Sequence, residues 1–248
     1  MQPKHPRPVA LVTGAARRIG RAIATALHGA GYDLVLHWRS TRDEAESLAA
    51  TLENARPGST LLAQAELANV AQLGKLVLRA VQHFGRLDAL VNNASSFQPT
   101  PLGLITEADW DALFASNAKG PLFLAQAAAP HLRVARGAIV NLLDVYAERP
   151  LAKHTVYSMA KAALAMATLS LARELAPEVR VNGVAPGAIL WPDAGKSEAE
   201  RQALVAHSAL KRTGNAEEVA AAVLYLIRDA TYSTGDIVHV DGGRRLMI

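Results

Sequence analysis

The amino-acid sequence predicts an α/β fold: one domain built on a doubly wound parallel sheet of seven strands with helices on both faces. Three observations carry this reading. Apolar runs of five to eight residues alternate with helical patterns along the chain. A glycine-bearing turn joins the first run to the first helical pattern. No internal repeat, low-complexity tract or linker breaks the rhythm. Alternation of this kind makes a parallel sheet, because right-handed crossovers lay a helix over one face or the other between strands.

The elements follow in order. VALVT (9–13) is a strand run ending at the turn, and RAIATALHGAG (21–31) is a helix stopped by glycine. DLVLHW (33–38) gives the second strand, then a helix near 41–55 closes at Pro57-Gly58. TLLAQA (60–65) is the third strand, followed by a helix near 69–84, and LDALVNNA (87–94) is the fourth. A loop rich in Ser, Pro and Thr (95–106) precedes a helix near 107–133. GAIVNLLD (137–144) is the fifth strand, residues 155–176 a helix, VRVNGVAP (179–186) the sixth strand and DIVHV (236–240) the seventh. Residues 1–8, MQPKHPRP, are basic and proline-rich and lack the apolar core of a signal peptide. A flexible arm over 1–8 and a single domain over 9–248 are expected. The helix at 155–176 is apolar nearly all round (AKAALAMATLSLA), which points to packing against a second subunit.

Composition excludes several classes. The chain has 248 residues, half of them hydrophobic and 19% charged, as a globular domain has. It has no cysteine, which excludes a disulfide framework, a thiolate metal site and a cysteine nucleophile. That fits a reducing compartment, and a cytoplasmic location is expected. Net charge is +4 without a long Lys/Arg run, so no nucleic-acid partner is expected, while anionic small molecules would be attracted. No membrane partner is expected, because the apolar stretches read as shorter than the roughly 18 residues of a membrane span. His131, His154 and His207 lack metal-ligand spacing and read as structural; no metal is expected.

Residues 13–20, TGAARRIG, follow a strand and open a helix, the context in which a glycine loop cradles a dinucleotide pyrophosphate in a Rossmann-like domain. Gly14 and Gly20 stand at its ends, but Arg18 takes the place of a middle glycine. The second strand ends in His37-Trp38-Arg39-Ser40, with no acid to hold the ribose hydroxyls of NAD. An imidazole, an arginine and a hydroxyl there, joined by Arg17, suit a 2′-phosphate and hence NADPH. Two or three charge-assisted hydrogen bonds of ~1.5–3 kcal/mol each would favour NADPH over NADH by at least about a hundredfold. The competing reading is a solvated basic loop.

Tyr157 and Lys161 stand four apart near the start of the long helix, on one face. The nearby ammonium is expected to favour the phenolate, making Tyr157 a proton donor to a substrate that receives a hydride.

TGxxxRxG, LVNNA, YSMAK and VNGVAPG, in this order over nearly the whole chain, resemble the short-chain dehydrogenase/reductase family. HWRS, NNASSFQPTPL, NLLD and the Arg18 substitution are most similar to the pteridine reductases of that family, which reduce pterins and in some members dihydrofolate with NADPH. The resemblance implies that Tyr157 and Lys161 are the catalytic pair, with Lys161 also holding the nicotinamide ribose, and that Asn117 supports the lysine. It implies cofactor contacts at Asn93, Ala94 and Ser95, at Pro186 and Gly187, and at the neighbouring Ile19, Leu67 and Ile189. Glu66 sits where many relatives place an aspartate against the adenine. Where ordinary members have a carbonyl-polarising serine, this chain has Asp144, thirteen residues before Tyr157. A carboxylate is a poor oxyanion donor but suits protonation of a ring nitrogen together with Tyr157; a turn or capping role is the alternative. Arg18 matches the arginine that reaches both cofactor phosphates and pterin. Phe97 matches the ring that stacks on the pterin, and Ser95 would hydrogen-bond it. The segment 187–213 fits a substrate lid, with Trp191 either a pocket wall or a buried anchor. The resemblance also implies a homotetramer.

The reading is therefore an NADPH-dependent reductase of dihydropterins, with dihydrofolate or oxidised pterins as further substrates. A 3-oxoacyl thioester reductase is the alternative within enzymes, and a non-catalytic NADPH-binding sensor the alternative outside them. The longer pteridine reductases carry an extra residue in the HWRS region and other insertions, which leaves substrate preference open.

Overall fold

The computed structural model describes residues 6–189, 202 and 205–247. Seven strands form one all-parallel sheet: β1 (Val9–Val12), β2 (Asp33–Trp38), β3 (Thr60–Gln64), β4 (Ala89–Asn92), β5 (Ala138–Leu142), β6 (Arg180–Pro186) and β7 (Ile237–Val240). Their order across the sheet is β3-β2-β1-β4-β5-β6-β7. The winding reverses between β1 and β4, whose carboxyl ends therefore diverge into a crevice.

Seven regular helices of the described residues cover the sheet: α1 (Arg18–Gly29), α2 (Arg42–Ala55), α3 (Val70–Phe84), α4 (Glu107–Phe114), α5 (Gly120–Ala135), α6 (Thr155–Leu175) and α7 (Ala216–Leu224). Ile23 and Leu27 of α1, Leu48 and Leu52 of α2, and Val219 and Val223 of α7 close one face over Val12, Leu34 and Val140. Leu73 and Val77 of α3, Leu124 and Leu132 of α5, and Leu175 of α6 close the other over Leu11, Leu90 and Ile139. The central strands are buried on both faces, which is why they read as unbroken apolar runs.

The helix expected over 107–133 is interrupted. Residues Ala115–Lys119 form a π-helical turn between α4 and α5, and the Gly120 N–H reaches back to the Ala115 carbonyl. Pro121 supplies no N–H to an ordinary helical ladder at this point, so the register slips by one residue. The slip turns Asn117 fully inward.

The expected arm is pinned where the description begins. The Arg7 guanidinium lies 3.0 Å from the buried Asp33 carboxylate, which Arg56 also pairs at 3.2 Å. Of the expected lid, residues 190–201, 203 and 204 lie outside the described residues, and Trp191 with them.

Candidate active site

The crevice between the ends of β1 and β4 holds a cleft of about 320 Å³. Its rim is the loop Gly14 to Gly20, in which Arg17, Arg18 and Ile19 border the opening. Trp38, Arg39 and Ser40 border it from the end of β2, Glu66 and Leu67 from beyond β3, and Asn93, Ala94 and Ser95 from beyond β4.

Backbone geometry explains the loop. Gly14 has φ +62°, and a Cβ on Gly20 would lie 2.1 Å from the Gly14 carbonyl oxygen, so neither position accepts a side chain. Thr13 fastens the loop to β4: its buried hydroxyl accepts from the backbone N–H groups of Asn93 (2.9 Å) and Ala94 (3.0 Å). Asn93 answers by donating its side-chain amide to the carbonyls of Thr13 (2.8 Å) and Gly14 (3.2 Å). Thr13 was not singled out by sequence, although its place at the strand exit was a signal. The result is a backbone-lined concavity at the N-terminus of α1, rimmed by exposed arginines, and these residues fit a dinucleotide pyrophosphate.

Arg18 adopts φ +53°, the left-handed conformation that the missing glycine would take freely. An L-residue there costs roughly 1–2 kcal/mol. The fold keeps the glycine backbone and places a guanidinium on it.

His37 is placed differently from the sequence expectation. Its ring is buried; Nδ1 accepts from the Gly14 N–H at 3.2 Å, and Nε2 then donates to the Ala65 carbonyl at 3.1 Å. Burial lowers its pKa. A neutral ring with both nitrogens used on backbone shapes the glycine loop and is not a partner for a phosphate. Arg39 lies 3.9 Å from Glu66 and is itself held by Gln64 on its carbonyl at 2.9 Å.

The second half of the site lies at the exit of β5 and the start of α6. Asp144 caps the short 3-10 turn Val145–Ala147, its Oδ1 accepting from the Tyr146 N–H at 3.0 Å. Its Oδ2 accepts the Tyr157 hydroxyl at 2.8 Å. Capping and the tyrosine contact, alternatives in the sequence, coexist on the two oxygens. Lys161, one turn further along α6, donates to the Leu142 carbonyl at 2.8 Å, with Nζ 5.8 Å from the Tyr157 ring centroid.

Burial dominates the protonation of these groups. It raises the Asp144 carboxyl, against the pull of the Tyr146 N–H, the Tyr157 hydroxyl, Lys161 and Arg244. It raises Tyr157 well above 10, with Asp144 adding to the effect. Burial lowers Lys161 to about 8. The expectation that the ammonium would favour a phenolate is therefore corrected: desolvation and the neighbouring carboxylate outweigh it, and Tyr157 stays a neutral phenol. Ser95 is the group that acts the other way on Tyr157.

The Ser95 hydroxyl also donates to Asn117 Oδ1 at 2.6 Å. The Asn117 amide donates to the carbonyls of Ser96 (2.9 Å) and Leu113 (3.0 Å), so it braces the loop after β4; among the described residues it makes no hydrogen bond to Lys161. The Gly120-Pro121 pair was the sequence signal for its π-helical setting.

Phe97 is half-exposed beside the pair, its ring edge-on to Tyr157 at 4.8 Å between centroids. His154, which the sequence left as structural, stacks on Phe97 at 4.6 Å and 16°. It holds one face of that ring. Pro186 pairs with Val240 in the sheet, Gly187 packs on Asp241, and Ile189 is buried in the core; none of the three lines the cleft described above.

A family model described as enoyl-(acyl carrier protein) reductase, of the short-chain dehydrogenase type, matches residues 14–245. Pteridine reductase 1 of Leishmania tarentolae is 39% identical over 96% of each chain. A 3-oxoacyl-acyl-carrier-protein reductase of Staphylococcus aureus is 36% identical over 94% of this chain and 96% of its own. A short-chain type dehydrogenase/reductase of Picea abies is 34% identical over 95% and 92%.

Proposed function

The chain belongs to the short-chain dehydrogenase/reductase family, whose members are NAD(P)H-dependent oxidoreductases, and we propose that it is an NADPH-dependent pteridine reductase. The observation that carries the proposal is the 2.8 Å hydrogen bond from the Tyr157 hydroxyl to Asp144 Oδ2. A carbonyl reductase needs neutral donors aimed at a developing oxyanion, whereas both Asp144 oxygens here accept, from the Tyr146 N–H and from the Tyr157 hydroxyl. Reduction of a C=N bond needs a proton on ring nitrogen, and a hydroxyl backed by a carboxyl group delivers one.

Gly14, Arg17, Arg18, Arg39 and Ser40 would hold the cofactor, with Lys161 at the nicotinamide end. NADPH supplies the hydride when bound. Tyr157 donates a proton to the substrate nitrogen, and Asp144 determines whether it does so readily. With Asp144 ionised, the donation would leave a phenolate against a carboxylate, which the buried setting penalises. With Asp144 protonated, its proton replaces the one Tyr157 gives up. Burial raises the carboxyl pKa, which makes that loaded form more accessible than it would be for a solvent-exposed aspartate. Phe97, backed by His154, offers a flat aromatic surface for a planar dihydropterin. Dihydrofolate and oxidised pterins are further proposed substrates. We further propose that the enzyme works in the cytoplasm as a homotetramer. The exposed Met159, Met166 and Leu169 along α6 support association with another copy.

The test is NADPH oxidation measured side by side with dihydrobiopterin, dihydrofolate and an acetoacetyl thioester, for the wild type and Asp144→Ser. Pterin turnover that Asp144→Ser lowers by about a hundredfold or more is expected. Turnover of the thioester alone would sink the proposal, and NADPH binding without any turnover would favour a sensor.

A further inference from the structure

Arg244 is a buried cation, 5% exposed, on the short 3-10 turn Arg244–Leu246 that follows β7. It lies a hundred residues beyond Asp144, yet the two segments meet. The turn itself is firmly built: Asp241 accepts from the Gly243 N–H (2.9 Å) on one oxygen and from the Arg245 N–H (2.9 Å) on the other.

Three side-chain contacts tie this C-terminal segment to the stretch immediately after Asp144. Arg244 Nη2 donates to the Tyr146 hydroxyl at 3.5 Å, a long contact. Arg149 Nε donates to the Arg245 carbonyl at 3.2 Å. His239 of β7 and Glu148 meet at 3.0 Å. Tyr146 is the residue whose backbone N–H holds Asp144 Oδ1 at 3.0 Å. The path from the guanidinium to the carboxyl group thus runs through one residue.

We propose that Arg244 is a positioning residue of the proton-delivering pair: through Tyr146 it holds the 3-10 turn that presents Asp144 to Tyr157, and it sets a second positive charge behind the carboxyl group. The groups acting on Asp144 are then Tyr157 and Lys161 from α6, Tyr146 from its own turn, and Arg244 from the C-terminal turn. Lys161 and Arg244 both favour the carboxylate, opposing burial. Arg244 therefore limits how high in pH the loaded, protonated pair survives. The inference rests on the reading that Asp144 and Tyr157 deliver the proton.

The experiment is the pH dependence of kcat/KM for dihydrobiopterin in the wild type, Arg244→Gln, Arg244→Lys and Tyr146→Phe, with NADPH affinity measured alongside. In the wild type kcat/KM falls as pH rises through the apparent pKa of the pair. Arg244→Gln is expected to move that fall upward by about one pH unit. Arg244→Lys should restore most of the wild-type profile, Tyr146→Phe should shift it by less, and NADPH affinity should stay within about twofold throughout. Reduced activity with an unmoved profile would make Arg244 merely structural and overturn the inference. Should Arg244→Gln fail to fold, a wild-type profile in Tyr146→Phe would overturn it equally, because that variant cuts the contact through which Arg244 is proposed to act. Failure of the underlying reading is distinguishable: then the wild type does not turn over the pterin, or Asp144→Ser leaves its turnover intact.

Discussion

The rim and the floor of the site are built on opposite physical terms. At the rim, Arg17 and Arg18 are exposed, and the loop they sit on owes its shape to backbone: two glycines, the Thr13–Asn93 contacts and the His37 ring. At the floor, the cluster at the exit of β5 that lies beyond the lining of the cleft, Tyr157 and Lys161 are almost wholly buried beside Asp144, and every one of the three has a displaced pKa. Charge at the rim is screened by water and serves attraction; charge at the floor is costly, so it governs which atom holds the proton. Attraction at the rim and proton transfer between Asp144 and Tyr157 are thus set by different solvent exposure, and Lys161 is the buried group that serves both binding and chemistry.

The comparison can be broken most forcefully at the floor. Tyr157→Phe is expected to lower kcat on the pterin by about 10²–10⁴-fold, the usual contribution of a placed acid, with NADPH affinity unchanged. Rapid single-turnover kinetics with a fluorescence titration of NADPH checks both parts. A matching loss of affinity would show that rim and floor are not separate.

A change at the rim should have the reverse signature. Arg18→Gly removes a guanidinium and restores the residue that φ +53° favours. Affinity for NADPH is expected to fall by about tenfold or more, the worth of a charge-assisted hydrogen bond. Stability in urea is expected to rise by up to about 1 kcal/mol, the relieved strain less the greater chain entropy of glycine. A destabilised variant would contradict the strain at this position.

The smallest effect is a pH dependence that sharpens the contrast. Lys161 loses its proton near pH 8 in the folded chain and at 10.5 when free. The unfolded chain therefore binds more protons between those values, and the lysine's contribution to stability rises with pH across that window, by at most about 1.4 kcal/mol per pH unit. NADPH affinity should move oppositely, weakening severalfold above pH 8 as the ammonium is lost. Unfolding and cofactor titrations at pH 7 and 9, compared with Lys161→Arg, test both signs; the arginine variant should show neither trend.

Much of this architecture was legible before the structure. β2 spans the residues read as the second strand, 33–38, and central strands were visible because burial on both faces leaves an unbroken apolar run. The glycine loop and residues 38–40 were read from spacing and residue type, and 93–95 from the family resemblance; all three segments border the cleft. His37 lies at the cleft with Trp38, Arg39 and Ser40, as read, but its ring is spent on backbone and not on a phosphate. Its two ring nitrogens are taken up by the Gly14 N–H and the Ala65 carbonyl, contacts that only the packing of β1, β2 and β3 establishes. The π-helical turn at Asn117 hid inside an apolar helical pattern, and only the Gly120-Pro121 pair marked it. Arg244 carried no local signal at all.

The sequence by itself determined what depends on the period of the backbone: which segments are strands, that a glycine loop opens the first helix, and that Tyr157 and Lys161 share one helix face. These follow from residues a few positions apart. Tertiary structure alone decided that Asp144 meets Tyr157, that Arg244 stands behind them, and that the phenol is held neutral. Desolvation and charge act through space, and only the packing of distant segments establishes how much water is left between them.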